Sequence, residues 1–275
     1  RNTCYIVDDG GISFATLVGE PRDSTWPALV ERVRKRFEEA RQNLARLGDE
    51  PDHRRGSYFC ENSGYSMGSG QKRPGNLKNS AARQKIVDDL LQDPDVVRIA
   101  NFGSGALKNH VPGVYELYRE NMEALLSSDP DLKPNFPNNV FAAATFNFGP
   151  RVITRVHLDH LNYAFGMCFV TALGKFNYRR GGHIILWDAK LIIEFPPGST
   201  ILIPSAILRH SNVDIARHET RYSFTQYTAG GLFRWVRAGF QTLKSLHAQG
   251  GNLSREYEEW KEGWRVFPTV SELLG

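Results

Sequence analysis

The sequence is poor in cysteine, and the cysteines that it has exclude a disulfide scaffold. Cys4, Cys60 and Cys168 are the three cysteines among 275 residues, and they form neither a CxxC pair nor an even set. Isolated thiols of this kind are typical of reducing compartments. We therefore expect a cytosolic or nuclear protein in which no cysteine is a zinc ligand.

The chain also lacks a signal peptide, a membrane-length apolar run, an internal repeat and a low-complexity segment. Neither sign of charge dominates, since the formal net charge is +4 and the pI is near 8.9. This mildly basic balance is compatible with a polyanionic partner but does not identify one. We expect a monomer without membrane association. The first residue is Arg1 and not methionine, which suggests a fragment of a longer chain.

Two periodicities divide the sequence. Apolar residues recur every three or four positions from Trp26 to Leu47, from Ala81 to Leu91 and from Val114 to Leu126, which predicts helices. After Pro137, short apolar runs alternate with Gly/Pro turns, which predicts antiparallel strands. The fold class is α+β, a double-stranded β-helix (jelly-roll) core with flanking helices. One domain, 1–275, is divided into an N-terminal helical and loop region (1–136), the β core (137–229) and a C-terminal helical extension (230–275), whose amphipathic tail includes Tyr257 and Trp260.

Residues 49–80 are rich in glycine, follow no period, and carry only basic charges after Glu61. Long loops in compact domains are usually functional or disordered. Arg54, Arg55, Lys72 and Arg73 suit phosphate contacts, and Tyr65 offers an aromatic face for stacking. The alternative, a solvated surface loop without a ligand, remains open.

The segment around His157 and Asp159 carries the strongest chemical signal. Side chains two positions apart lie on one side of a strand, so this histidine and carboxylate face the same way. His210 on a later strand can complete a 2-His-1-carboxylate triad, the ligand set of non-haem Fe(II) oxygenases. Arg221 follows eleven residues later and can pair with the far carboxylate of a 2-oxoacid. The alternatives are a buried structural histidine and a surface carboxylate.

Alternation along the last predicted strand places Arg221 and Ser223 on its inner face, where we expect them to share the 2-oxoglutarate carboxylate. Tyr227 continues this face and either stacks on a flat substrate or belongs to the core. His183 either reaches the 2-oxoacid or is a core or surface histidine. His160 points away from Asp159, so it is a supporting or substrate-facing residue and not a ligand.

Several motifs together resemble the TET/JBP group of Fe(II)/2-oxoglutarate dioxygenases, most closely its basidiomycete fungal branch. The likeness spans roughly residues 55–240 and is specific in combination. The motifs that carry it are Asn147-Phe148-Gly149-Pro150, His157-Leu158-Asp159-His160-Leu161-Asn162, Gly181-Gly182-His183, Pro196-Pro197-Gly198-Ser199, His210-Ser211-Asn212, Thr220-Arg221-Tyr222-Ser223 and Gln226-Tyr227-Thr228-Ala229-Gly230-Gly231, with Gly68-Ser69-Gly70-Gln71 upstream.

The resemblance implies oxidation of 5-methylcytosine in DNA to its 5-hydroxymethyl, 5-formyl and 5-carboxyl forms. It implies iron on His157, Asp159 and His210, with 2-oxoglutarate and O2 as co-substrates and ascorbate as a possible aid. Asn162 and Tyr227 correspond to family residues that contact a flipped base. Ala229 replaces a histidine of the animal enzymes, so N6-methyladenine is a further candidate substrate. The predicted contacts to methylated double-stranded DNA are Asn162, Tyr227, His160, Tyr65, Gln71, Lys72, Arg73, Arg54 and Arg55, and the expected location is nuclear.

Two alternatives stay open. A dioxygenase with the same chemistry can act on RNA, protein or a small molecule, although the basic loop disfavours this. A non-catalytic barrel that binds modified DNA is the other, although it has no need of His157, Asp159, His210 and Arg221 together.

Overall fold

A computed structural model describes residues 3–48, 51–68, 70–253 and 263–274. Tyr257 and Trp260 of the predicted tail lie outside the described residues. No helix in the described ranges has the length and hydropathy of a membrane span. The helices are α1 (Trp26–Ala45), α2 (Ala81–Gln92), α3 (Pro94–His110), α4 (Pro112–Ser128), α5 (Gly230–Arg237), α6 (Leu243–Ala248) and α7 (Val270–Leu274), with a 3-10 turn at Trp264–Val266.

The strands form two antiparallel sheets. They are β1 (Cys4–Val7), β2 (Ser13–Gly19), β3 (Phe59–Ser66), β4 (Gly75–Asn76), β5 (Ala143–Phe148), β6 (Cys168–Lys175), β7 (Ile184–Leu186), β8 (Leu191–Ile193), β9 (Thr200–Ile203), β10 (His210–Asn212) and β11 (Thr220–Tyr227). The large sheet has eight strands in the order β1-β2-β9-β6-β11-β5-β3-β4, and the small sheet has three in the order β10-β7-β8. The region predicted to pack on the core as helices and loops therefore supplies four strands of the large sheet. The mixed α+β class with a double-stranded β-helix core is confirmed.

Alternation of side chains along the strands builds two cores. On β11, Tyr222 and Phe224 face the helices α1 to α4 and join the larger apolar cluster. Cys168 of β6 and Ile203 of β9 face the small sheet, where they pack with Leu186 of β7. The space between the two sheets is therefore partly apolar. The polar residues of β11 that point into it, Arg221, Ser223 and Thr225, are exceptions in this lining.

Helix α1 closes the outer face of the large sheet. Its apolar stripe includes Leu29, Val33 and Phe37, all buried, and proline occupies its first turn, where a missing N–H costs nothing. The Phe37 ring lies 5.4 Å from that of Phe148, and Trp26 Nε1 donates to Gly198 O at 3.1 Å. Helix α1 thus covers one face of the large sheet, and the candidate site lies on the opposite face.

The contact between Glu38 of α1 and Tyr222 of β11 makes stability depend on pH. Glu38 accepts hydrogen bonds from Arg41, which has the larger effect, and from Tyr222. These bonds hold the pKa of Glu38 at about 2, below the unfolded value of about 4.3. A carboxyl with a depressed folded pKa stabilises the fold above its unfolded pKa, and this contribution is lost as pH falls through the folded pKa. We expect the free energy of unfolding, measured in urea, to fall between about pH 5 and pH 2. The fall should be shallower in Glu38→Gln, and equal slopes in the two proteins would contradict this assignment.

Two elements differ from the sequence prediction. Helix α3 was not predicted, yet its start has clear signals, because the Asp93 side chain accepts from the N–H groups of Asp95 and Val96. The strand assumed around His157 and Asp159 does not form, since the segment 152–158 is irregular. Its backbone is bonded to other partners: Thr154 N donates to the Asn212 side chain at 2.9 Å and Arg155 N donates to Arg55 O at 2.8 Å.

Candidate metal centre and adjoining cavity

His157, Asp159 and His210 converge between the two sheets. One ligand atom from each of the three lies within 4.8 Å of the others. His157 Nε2 is 3.6 Å from Asp159 Oδ1, and His210 Nε2 is 3.9 Å from Asp159 Oδ2. Two imidazoles and one carboxylate are the donor set of the facial triad, which leaves coordination positions for other ligands. The predicted same-side arrangement of His157 and Asp159 is present, although the segment that carries it is not a regular strand.

Backbone hydrogen bonds position the two histidines. His157 and His210 form an isolated antiparallel bridge, with N–H to O distances of 3.1 Å in both directions. Each ring also donates its Nδ1–H to a backbone carbonyl, His157 to Arg155 O at 2.8 Å and His210 to Leu208 O at 2.9 Å. These bonds fix the tautomers, so both Nε2 lone pairs face Asp159 and are available to a metal ion.

Burial keeps the imidazoles uncharged. Burial, together with the neighbouring His210, lowers the pKa of His157 to about 4. Burial also lowers the pKa of His210. Both rings are therefore neutral near pH 7, which is the form that binds a metal ion.

Arg55 lies against Asp159, where the sequence had placed it among the phosphate anchors. Its guanidinium donates from Nη2 to Asp159 Oδ1, and its side chain is 32% exposed. Partners of metal-ligating side chains orient those ligands. Arg55 can therefore hold one oxygen of Asp159 while the other faces His210, so its use as a phosphate anchor is corrected.

Arg221 is a buried cation that no acidic side chain of the described ranges pairs with. It is 4% exposed, its Nη1 donates to Val152 O at 3.2 Å, and its Nε has no partner. Burial lowers its pKa to about 10, so it remains protonated near neutral pH. An unpaired buried guanidinium is costly. The arrangement indicates an anionic ligand beside Arg221, and the carboxylate of a 2-oxoacid fits this requirement.

Polar side chains from two strands and two irregular segments line the inner cavity together with Arg221. Asn147 of β5 lies opposite Ser223 of β11 and donates from Nδ2 to its Oγ at 3.0 Å, which leaves the serine O–H free to donate. Tyr58 and Thr154 hydrogen-bond to each other at 3.3 Å on the same inner cavity of about 70 Å³. Sequence reasoning assigned no role to Asn147. Its signal was a polar residue between Phe146 and Phe148, both of which face the helical core.

A larger cavity of about 700 Å³ opens outward from the inner one. The two share Arg55, Tyr58, Asn147, Asp159 and Thr225 in their linings, so the outer cavity leads to the metal cluster. Asn162 and Tyr227, for which the resemblance to TET/JBP enzymes implies base contacts, both line the outer cavity. Asn162 Nδ2 donates to Ser205 Oγ at 3.2 Å, and the Tyr227 hydroxyl donates to Asn62 Oδ1 at 3.4 Å. Burial raises the pKa of Tyr227 to about 12, so its hydroxyl stays a donor.

Three predicted site residues lie elsewhere. Tyr65 is fully buried in β3 with its hydroxyl 3.3 Å from Met122 Sδ, so it is a core residue and cannot stack on a base. His183 is half-buried and does not line either cavity, because its neighbour Ile184 takes the inward position of the strand. His160 is exposed and lies outside both linings, which agrees with its predicted direction away from Asp159.

The remaining basic-loop residues divide into two groups. Arg54 and Gln71 line the outer cavity, and Gln71 Oε1 accepts from Gly68 N at 2.9 Å. Lys72 and Arg73 are exposed on the surface beyond that lining. The segment predicted as one long loop also contains β3, which pairs with β5 from Phe59 opposite Phe148 to Gly64 opposite Ala143.

Comparison with known proteins places the fold. No model of a known protein family matches the sequence, and no curated protein matches it. The solved structure of NgTET1 in complex with 5mC DNA aligns with a TM-score of 0.57 and 16% identity over 84% of this chain and 78% of that one. A 2OG-Fe(II) oxygenase family oxidoreductase from Burkholderia pseudomallei aligns with a TM-score of 0.36 and 15% identity over 78% of this chain and 95% of that one.

The NgTET1 likeness concerns the fold, whereas the chemistry depends on the residues of the site. The neutral imidazoles and the carboxylate suit a divalent iron ion, and the unpaired Arg221 suits a 2-oxoacid. The donor set and the fold together support Fe(II) and 2-oxoglutarate as the cofactors. The chain has the double-stranded β-helix fold of the 2-oxoglutarate- and Fe(II)-dependent oxygenases.

Proposed function

We propose that this protein is an Fe(II)/2-oxoglutarate-dependent dioxygenase that oxidises 5-methylcytosine in duplex DNA. The observation that carries the proposal is a pair of adjoining cavities with shared lining residues, around which three parts are arranged. The His157, Asp159 and His210 cluster lies beside the unpaired buried Arg221, and an outer chamber of about 700 Å³ leads to both. A metal site, an anion site and a substrate chamber are the parts that such a reaction needs.

The chain's own residues prepare the inner site. The two carbonyl-bound histidines offer fixed Nε2 donors, and Arg55 restrains one oxygen of Asp159. Arg221 and Ser223 would hold the carboxylate of 2-oxoglutarate by a charge-assisted pair and a hydroxyl donor. When bound, Fe(II) and 2-oxoglutarate supply the activation of O2 that hydroxylates an unactivated methyl group, with succinate and CO2 as the co-products.

The outer chamber suits one flat, polar ring. A methyl group on a stacked base cannot reach a buried metal ion, so the base has to leave the duplex. Tyr227 offers an aromatic face and a hydroxyl, and Asn162 offers an amide held by Ser205. These groups would position the flipped base with its methyl group toward the metal cluster.

The cavity rim suits a polyanion. Arg54 and Lys78 line the outer chamber and are exposed, and Lys72 and Arg73 lie on the neighbouring loop surface. Phosphate contacts by such residues give salt-dependent affinity without reading sequence. This rim favours DNA over a protein side chain or an uncharged small molecule. A nuclear location follows from the proposed substrate.

The experiment that tests the proposal is mass spectrometry of nucleosides after incubation with Fe(II), 2-oxoglutarate and ascorbate. Parallel reactions contain duplexes of one sequence with 5-methylcytosine, with N6-methyladenine or without modification. We expect 5-hydroxymethylcytosine, followed by the formyl and carboxyl forms, and no product with His157→Ala. Succinate formation without any oxidised base would refute the DNA assignment while leaving the cofactor assignment intact.

N6-methyladenine is a second candidate substrate. The residue two positions after Tyr227 is Ala229, which also lines the outer chamber, and its methyl side chain cannot hydrogen-bond to a base. A chamber without a fixed polar partner there can accept a larger purine. Loss of N6-methyladenine in the parallel reaction would support this broader range, and an unchanged amount of N6-methyladenine would exclude it.

A further inference from the structure

We propose that Leu161 fills the gap that a flipped base leaves in duplex DNA. The inference rests on the proposed function, because it concerns how the same cavity receives a base from a duplex. It assigns an apolar wedge to the rim of the outer chamber, and it predicts a preference for duplex over single-stranded substrate that depends on this one side chain.

Leu161 is placed at the entrance of the chamber. It lines the outer cavity two residues after Asp159, and 47% of it is exposed. Val156, on the other side of His157, is 50% exposed. Both aliphatic side chains are therefore about half exposed on the short segment that carries two of the three metal-ligand candidates. Exposed apolar surface next to a binding cavity is typical of a contact surface.

The segment is anchored, so the exposure of Leu161 does not come from a loose loop. Asp159 N donates to Ser205 O at 2.9 Å, and Asn162 N donates to Asp159 O at 2.8 Å. Leu161 O itself accepts from Gly230 N at 2.9 Å at the start of α5. The fold thus presents an aliphatic side chain outward from a fixed backbone, and a group that enters a base stack needs this support.

The surrounding charge selects the partner. Among the described residues that line the outer chamber, Asp159 is the only acid, and Arg55 already pairs with it. Arg54 and Lys78 are basic and exposed in the same lining. An apolar tip within a basic rim complements a base stack flanked by phosphates, whereas a purely apolar protein partner would leave these charges unpaired.

Extrusion of a base leaves a gap in the stack that the Leu161 side chain can fill. The two neighbouring base pairs lose their stacking partner, and proteins that separate base steps insert leucine, phenylalanine or similar side chains between them. A single-stranded substrate has no such gap to fill. Removal of the wedge should therefore slow duplex oxidation selectively, while a general defect of the cavity would slow both substrates.

The test compares kcat/KM for 5-methylcytosine oxidation in a duplex and in the same single strand, in Leu161→Ala, Leu161→Phe and Ile192→Ala. Ile192 is 69% exposed on β8 and lies outside both cavity linings, so it is the matched control for loss of a surface aliphatic side chain. We expect the duplex-to-single-strand ratio to fall roughly tenfold in Leu161→Ala. Leu161→Phe, which keeps an apolar wedge, and Ile192→Ala should retain the wild-type ratio.

Each outcome decides the inference. An unchanged ratio in Leu161→Ala would overturn it, and so would an equal loss on both substrates, because that result assigns Leu161 to the shape of the cavity. Fluorescence of 2-aminopurine beside the methylated base gives an independent reading, since it should rise less on binding of Leu161→Ala. If the wild type oxidises neither substrate, the proposed function itself fails, and the inference fails with it.

Discussion

The Asp159→Ala protein is expected to lose base oxidation and succinate formation by more than about 100-fold, because even partners of metal ligands cost 10- to 100-fold. The cluster offers one carboxylate, and no other acid of the described ranges belongs to it. The variant should still fold, since Asp159 is at the cavity floor and its partner Arg55 is 32% exposed. Anaerobic Fe(II) titration monitors binding, and circular dichroism checks the fold.

Substitution of Arg55 is expected to weaken Fe(II) binding less than substitution of Asp159 does. The Arg55 guanidinium restrains Asp159 without belonging to the metal cluster, so Arg55→Ala should weaken Fe(II) binding by about 10- to 100-fold. Arg54→Ala is the matched control, because the neighbouring arginine lines only the outer chamber. Equal Fe(II) affinity in Arg55→Ala and Arg54→Ala would show that the ion pair does not orient Asp159.

Substitution of Arg221 by methionine is expected to change stability and cofactor binding in opposite directions. In the cofactor-free protein the buried guanidinium has no anionic partner, so an apolar side chain of similar length should raise the free energy of unfolding by about 1–4 kcal/mol. The same change removes the cation for the 2-oxoglutarate carboxylate. Affinity for 2-oxoglutarate should fall by about 100-fold, as expected when a charge-assisted pair is lost.

Two measurements separate these effects. Urea unfolding without cofactors reports the gain in stability, and thermal unfolding with increasing 2-oxoglutarate and Mn²⁺ reports binding, because a ligand of the folded state raises Tm. Wild type should gain stability from 2-oxoglutarate, and Arg221→Met should not. A cofactor-free Arg221→Met that is less stable than wild type would mean that the bond to Val152 O outweighs the unpaired charge.

Most residues of the inner site could be predicted from the sequence. The alternation of β11 placed Arg221 and Ser223 on the inner face, and the structure has them there, whereas Tyr222 and Phe224 join the apolar cluster on the helical side. The spacing of His157 and Asp159 brought both to one side even though no regular strand formed there. Local periodicity was sufficient for β11, which is a regular strand with one buried face, whereas His157 and Asp159 lie together on an irregular segment.

Long-range pairing is what sequence reasoning missed. Arg55 and Asp159 are 104 residues apart, and nothing in the basic run around Arg55 distinguishes an ion-paired arginine from a phosphate anchor. Tyr65 belongs to β3, whose polar composition carries no strand period and which is a strand because it pairs with β5. His183 lies immediately before β7, and the next residue, Ile184, is the one that faces the cavity, so a shift of one residue decides which of them reaches it.

The most direct test of the account is whether oxidation of 2-oxoglutarate to succinate is coupled to oxidation of 5-methylcytosine. Succinate and oxidised 5-methylcytosine are measured in one reaction with duplex DNA, Fe(II) and 2-oxoglutarate, and compared with the same duplex without methylation. The account predicts one succinate for each oxidation step, and a much slower release of succinate with unmethylated duplex. Equal succinate release with both duplexes, without oxidised cytosine, would contradict the assignment of 5-methylcytosine as the substrate of this site.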